Sequence, residues 1–350
     1  MRPVLESKGY IIENIDFSSL LSGTGYNPLS FVRYDEDTDM YSEKDINTIS
    51  SCLINLHHKN DDFWEYAARQ YLSILISYVL EMYPPSGHTL KSVLSLIPVL
   101  GSDKMYAMMD ELSVLKPNSS TYTRYLGIDA SNGADKMCAS IKGILSTNLD
   151  SLTFNDCLAF YENPKQIDFK SIGKRKTAVF LTISDTDRSM DLLANTFITQ
   201  ALHELCYSAD HDYVNHRLPY PVRFILDDFA TNCYIEDFDK IISVIRSREI
   251  SVSIILQSIS QLYSLYGSDR AKTILNNCDN MLYLGGNCVD TAEYISVKAN
   301  KPLSAILEMP LDKAYVFIRG EKPCLEDKFD YTKLNHAECF EELKEREVSI

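Results

Sequence analysis

VRFILDD, Val222–Asp228, is an apolar run that ends in two adjacent carboxylates, and its reading decides the fold. Four similar runs accompany it: TAVFLTI at Thr177–Ile183, SVSIIL at Ser251–Leu256, MLYLG at Met281–Gly285 and AYVFI at Ala314–Ile318. Short runs of this composition read as strands, and runs apolar on both faces belong to strands covered on both sides, as in a parallel sheet. The segments between them, Met190–Cys206, Ile235–Arg246 and Asp290–Ala299, carry apolar residues at helical spacing. This alternation predicts an α/β fold with a doubly wound, mostly parallel sheet.

Further upstream the pattern changes. Gly9–Asp16 reads as a strand, and Ser42-Glu43-Lys44-Asp45 resembles a capping box with Asp in place of Glu, followed by Ile46, Ile49 and Leu53 at helical spacing. A second helix starts near Asp61 and ends at Pro84-Pro85. Between Ser86 and Pro164 the segments are amphipathic, as at Leu90–Leu100, Met105–Leu115 and Ala134–Leu149, with no strand among them. The expected organisation is an α/β domain in two pieces, residues 1–85 and 165–350, with an all-helical domain inserted at 86–164.

Bulk properties narrow the function classes. The 350 residues are 45% apolar and 24% charged, enough to bury a large core. A net charge of −15 repels phosphate backbones, which argues against a duplex-coating protein. No run of about 18 apolar residues is present to cross a bilayer, so the chain as given is expected to be soluble and cytoplasmic. The nine cysteines are scattered without a CxxC pair and read as free thiols. His203, Cys206, His211 and His216 have loosely metal-like spacing but lack the paired ligands of a zinc motif, and His57-His58 suits a solvated helix end.

In open α/β folds ligands bind beyond the carboxyl ends of the strands. There, Asp227 suits the shell of a magnesium ion, reached through water, and Asp228 suits orienting or deprotonating an attacking water. Gln257, after the next strand, is placed to hydrogen-bond a γ-phosphate. The plainer alternative for Asp227-Asp228 is a capped strand-to-helix turn. Arg246 and Arg248 end a helix, where cations also favour the dipole. Asp185 and Asp187 follow a strand, and Thr186 is positioned to cap the next helix.

The string DDFATNCYIEDFDKIISVIRSREISVSIILQSISQLYSLYG, Asp227–Gly267, resembles the signature block of type IV secretion coupling proteins, the ATPases of conjugative DNA transfer. GYNPLSFVR at Gly25–Arg33, FWE at Phe63–Glu65, SDTD at Ser184–Asp187 and NNCDNMLYLGG at Asn276–Gly286 extend the resemblance over nearly the whole chain. It implies a RecA-like P-loop NTPase fold whose helical insertion receives the substrate, with ATP and Mg2+ as cofactors of the full-length protein. Asp227 aligns with the family's magnesium-side acid, Gln257 with its nucleotide-sensing glutamine, and Arg246 with an arginine that reaches a neighbouring subunit's nucleotide. The usual second acid is Glu; here it is Asp228, one methylene shorter.

The implied function is recruitment of a relaxosome and transfer of single-stranded DNA with bound protein, at the cytoplasmic face of the bacterial membrane. The implied partners are relaxase and relaxosome proteins, type IV channel ATPases and five further copies in a hexameric ring. Family members also carry transmembrane helices and a GxxxxGK[ST] loop, which these residues lack; Gly101–Lys104, Gly133–Lys136 and Gly173-Lys174 have the wrong spacing. The chain therefore reads as a fragment or truncated product, inactive alone, requiring no cofactor alone, and a monomer or weak dimer. Two alternatives stand beside this: a docking module without ATPase activity, and another ring translocase such as a chromosome-partitioning motor. The latter has less reason to carry the GYNPL and FWE strings or the helical insertion.

Overall fold

The computed structural model describes residues 2–54, 62–132, 135–229 and 233–330, with the backbone alone for residues 62, 130–132, 135 and 136. His57, His58, Gly133 and Cys339 lie outside the described residues. In chain order the elements are α1 (Arg2–Ser7), β1 (Ile11–Asp16), β2 (Tyr34–Asp35), β3 (Met40–Tyr41), α2 (Glu43–Leu53), α3 (Asp62–Met82), α4 (Leu90–Leu96), α5 (Asp103–Leu115), α6 (Ser120–Asn132), α7 (Asp135–Asn148), α8 (Asn155–Tyr161) and α9 (Phe169–Lys174). They continue with β4 (Thr177–Thr182), α10 (Asp191–Asp212), β5 (Val222–Leu226), α11 (Phe238–Ile241), β6 (Ile250–Ile254), α12 (Ile259–Asn276), β7 (Asn280–Tyr283), α13 (Val289–Ala299), α14 (Leu303–Leu307), β8 (Lys313–Ile318) and β9 (Cys324–Asp327).

The chain divides into two compact units. A helical unit comprises Glu13–Lys170 and Val179–Tyr207; a sheet unit comprises the residues before Glu13, Ser171–Ala178 and those from Ser208 on. In the helical unit α3 is the spine. Its Ala68, Leu72, Leu75, Ile76 and Val79 are fully buried, and it packs against α2, α4, α6 and α7. The helices of residues 86–164 thus share one core with α2 and α3. A second core is aromatic: Phe197 meets Phe17, Tyr26 and Phe169 edge to face. The Tyr26 hydroxyl donates to Gln200, whose amide donates to the Pro28 carbonyl at 3.1 Å, so the one polar atom in this cluster is satisfied. Gly25 is dictated by close approach. It pairs in parallel with Gln166, and a Cβ there would sit 2.5 Å from the Asn163 Cβ and 2.6 Å from the Phe160 carbonyl oxygen.

The Ser42 box forms by half. Ser42 Oγ accepts the Asp45 amide at 3.3 Å, but the Asp45 carboxylate takes Nε and Nη2 of the Arg33 guanidinium instead of closing the box. A bidentate, charge-assisted pair is worth more than a second cap bond.

In the sheet unit β5 and β6 pair in parallel from Val222↔Ile250 to Leu226↔Ile254, and β7, β8 and β9 form an antiparallel sheet. β1 and β4 also pair, with Ile11 N–H donating to Lys176 O and Phe17 N–H to Thr182 O, so those strands run parallel. The expectation of strands covered on both faces is met on one face only among the described residues. Phe224 and Leu226 turn inward, while Ile225 of β5 and Leu282 of β7 are 69% and 61% exposed. The helix expected over Ile235–Arg246 shrinks to α11 plus a 3-10 turn at Ile245–Arg248. Asp237 enters α11 in the left-handed region (φ 52°), which prevents the helix from starting earlier. β7 and β8 close on α13 and α14 through Tyr283, Ala292, Ile295, Ile306, Tyr315 and Phe317.

Candidate functional site

The β5–β6 ladder runs past the ends of its strands. Ile255 N–H donates to Leu226 O at 2.9 Å, and Phe229 N–H returns to Ile255 O at 3.1 Å. That clamp brings the residues after both strands to one place: Gln257 Nε2 donates to Asp228 Oδ1 at 3.1 Å. Asp228 occupies the left-handed region (φ 45°), which Asp tolerates better than most residues, and its amide donates to Asp227 Oδ1 at 3.2 Å. Asp227 is exposed and Asp228 half-buried. α12 begins directly after Ser258, so the positive end of a helix dipole lies beside Gln257.

Beneath the acids sits an anchor that the sequence reading did not single out. Phe229 is completely buried, 5.1 Å from Phe238 and stacked on Tyr266 at 6.0 Å. The Tyr266 hydroxyl accepts Ile235 N–H at 2.9 Å and donates to Ile235 O at 3.2 Å. Burial pushes that phenol far above its ordinary pKa, so it stays a donor. The available signal was the aromatic residue directly after the two acids.

Arg246 is elsewhere. It precedes β6, at the amino end of the strand whose carboxyl end leads to Gln257. A five-residue strand at about 3.3 Å per residue puts roughly 15 Å or more between them. Its side chain is 86% exposed and reaches Asp279 at 3.4 Å. Arg248 differs: its Nε and Nη2 grip Asp210 at 2.9 and 2.7 Å, which joins α10 to the turn before β6. Of the two arginines, one is a structural tie and the other faces solvent. The structure therefore brings Asp227, Asp228 and Gln257 together and sets Arg246 apart.

SDTD forms a turn. Asp187 N–H donates to Ser184 Oγ at 3.0 Å, and the Asp187 carboxylate accepts Ser189 N–H at 2.9 Å, a bond that lowers its pKa. Thr186 does not cap α10, which opens at Asp191 with Arg188 paired to it at 2.6 Å. Among the described residues no cluster of three His, Cys, Asp or Glu side chains forms a metal site, and the described cysteines form no disulfide. Asp227 nonetheless fits magnesium: its exposed carboxylate is a hard oxygen donor, and this ion keeps several waters and takes the rest of its shell from phosphates.

A family profile described as Type IV secretory system Conjugative DNA transfer matches residues 4–300. No curated protein sequence matches. Among solved structures, the bacterial conjugative coupling protein TrwBdeltaN70, in complex with sulphate, is 13% identical with a TM-score of 0.65, covering 91% of this chain and 72% of that one. Plasmid coupling protein TrwB in complex with ADP and Mg2+ is 15% identical with a TM-score of 0.62, covering 95% of this chain and 82% of that one. VirB4 of Thermoanaerobacter pseudethanolicus is 9% identical with a TM-score of 0.54, covering 95% and 80%. These likenesses establish a RecA-like P-loop NTPase fold. No helix among the described residues is long and apolar enough to cross a membrane.

Proposed function

This chain belongs to the type IV secretory system conjugative DNA-transfer family, and from that premise we propose that it is the nucleotide-hydrolysing region of a coupling protein. The observation that carries this reading is the hydrogen bond between Gln257 and Asp228 at the carboxyl end of the β5–β6 ladder. Asp227 would hold the magnesium ion through water, Asp228 would orient and accept the proton of the attacking water, and Gln257 would hydrogen-bond the γ-phosphate. Mg2+, when bound with ATP, neutralises charge on the phosphates. Arg246 faces the wrong end of its own β6 to serve the same nucleotide, which supports its action on a neighbour's nucleotide in a hexameric ring. The isolated chain is then a monomer or weak dimer.

The full-length protein works at the cytoplasmic face of the cell membrane, delivering relaxase and single-stranded DNA to the type IV channel. The test is ATP hydrolysis by the full-length protein: Asp227→Ala lowers the rate by about 10²–10³-fold. Hydrolysis that survives this substitution contradicts the reading.

A second reading, substrate docking by the helices of residues 86–164, is favoured by a cavity of about 320 Å³ in the helical unit. Asp39, Glu43, Glu81, Lys116 and Thr121 line it, and one Glu81 oxygen is buried without a hydrogen-bond partner. An acidic cavity suits a basic side chain of a relaxosome protein. Glu81→Gln weakens relaxosome capture on this reading, and unchanged affinity refutes it.

A further inference from the structure

Arg246 is not alone at the amino end of β6. The β7–β8 ladder continues one residue beyond its strands, with Arg319 N–H donating to Asp279 O at 3.1 Å, so Arg319 and Asp279 are cross-strand neighbours. Arg319 Nη1 lies 3.1 Å from Asp279 Oδ1, and Arg246 Nη1 lies 3.4 Å from Asp279 Oδ2. One carboxylate is thus shared by two guanidinium groups, each more than three-quarters exposed. Lys298, 5.7 Å from the Phe317 ring, adds a further positive charge beside the same strands.

This arrangement is poor as a stabilising device. The two cations repel each other, a single charge neutralises them incompletely, and solvent screens both pairs, so each contributes little to stability. It is good as a receptor. A guanidinium offers five N–H donors, and here most of them point into solvent. A phosphoryl group presents paired oxygens as a carboxylate does, with more charge and a third oxygen to accept bonds.

The geometry points to Arg246 and Arg319 as the two prongs of one phosphate-binding site, with Asp279 standing in for the phosphate until a neighbouring subunit's nucleotide displaces it. This rests on the reading of Arg246 as a trans-acting arginine and adds Arg319 as its partner and Asp279 as the group that parks both. Arg319 is separated from Arg246 by more than 70 positions in sequence and meets it only through the fold.

Pyrophosphate titrated into this chain at low salt, followed by NMR of the arginine Nε–H signals, tests the site directly. Arg246→Ala and Arg319→Ala each weaken binding roughly tenfold or more, with little further loss in the double variant. Arg319→Lys recovers part of the affinity, Asp279→Asn tightens it several-fold, and Lys240→Ala changes nothing. Unaltered binding in Arg319→Ala, weaker binding in Asp279→Asn, or tighter binding of a thymidine oligonucleotide than of pyrophosphate at these arginines overturns the proposal. Hydrolysis by the full-length protein separates the two layers of the argument. A rate that falls with both alanine variants supports the site; one that falls with Arg246→Ala and ignores Arg319→Ala overturns the pair and keeps the trans arginine. A rate indifferent to both overturns both.

Discussion

The two ends of the β5–β6 ladder are built on different principles. At the carboxyl end the acids are fixed by backbone bonds, by a left-handed Asp228 and by a buried aromatic anchor, Phe229 against Phe238 and Tyr266. At the amino end Arg246 and Arg319 are held by a shared surface carboxylate and little else. A group that must be in position before chemistry begins is pre-organised. A group that engages a partner and lets go is tethered weakly, because a strong intramolecular pair would compete with the ligand. On the proposed reading, the contrast separates the parts of the site that this chain completes from those that need a neighbour.

The largest expected effect breaks the anchor. Phe229→Ala costs about 3–5 kcal/mol of stability in urea unfolding, because the site is fully buried among aromatic rings. Ile225→Ala, on the outward face of β5, changes it by less than about 0.5 kcal/mol. A cost for Ile225→Ala matching that of Phe229→Ala shows that this face is covered in solution.

Next is Gln257→Leu, which removes the donor to Asp228. It lowers hydrolysis by the full-length protein by about 10²-fold and leaves the thermal midpoint of this chain unchanged, since the side chain is exposed. A fall in midpoint without a fall in rate would make the bond structural.

A control lies in the helical unit. Tyr26→Phe removes the hydroxyl that meets Gln200 and leaves a buried amide oxygen unpaired, at about 1–3 kcal/mol. Its effect is on unfolding and not on pyrophosphate binding at the arginines.

The smallest effect uses two cysteines as reporters. Cys288, in the turn before α13, has its thiol pKa lowered by donors from Ser260 and Thr291; Ser260 lies in the first turn of the helix that follows Gln257. Cys278, next to Asp279, has its pKa raised by burial. A lowered pKa means that thiolate persists to lower pH, so iodoacetamide modifies Cys288 faster than Cys278 near neutral pH. Ser260→Ala slows Cys288 a few-fold and shifts its rate profile to higher pH. Equal rates at the two positions contradict the assignment.

Much of the sheet unit was legible because strands β4 to β8 are dense apolar runs ended by polar residues, and that signal is local. Asp227, Asp228 and Gln257 were legible for the same reason: each stands directly after such a run. β9, with the sequence CLED and every residue exposed, carries no such pattern. α6, STYTRYLGIDASN, is too polar to announce itself and is helical because Tyr125 packs inside the helical unit. The exposed side of β5 was misread because a two-faced apolar pattern records what a strand is suited to meet. Arg319 was invisible for a different reason. Its partners are set by an antiparallel register, and no sequence spacing encodes that.

Mixing two defective forms of the full-length protein tests the central claim most directly. Asp227→Ala spoils the acid end and spares the arginines; Arg246→Ala does the reverse. In a ring formed from equal amounts, roughly a quarter of the interfaces join an intact acid end to an intact arginine on the neighbour. The account predicts that each variant alone is nearly inactive and that the mixture regains about that share of wild-type hydrolysis. A mixture no more active than its components, with mixed rings shown to form, would contradict it.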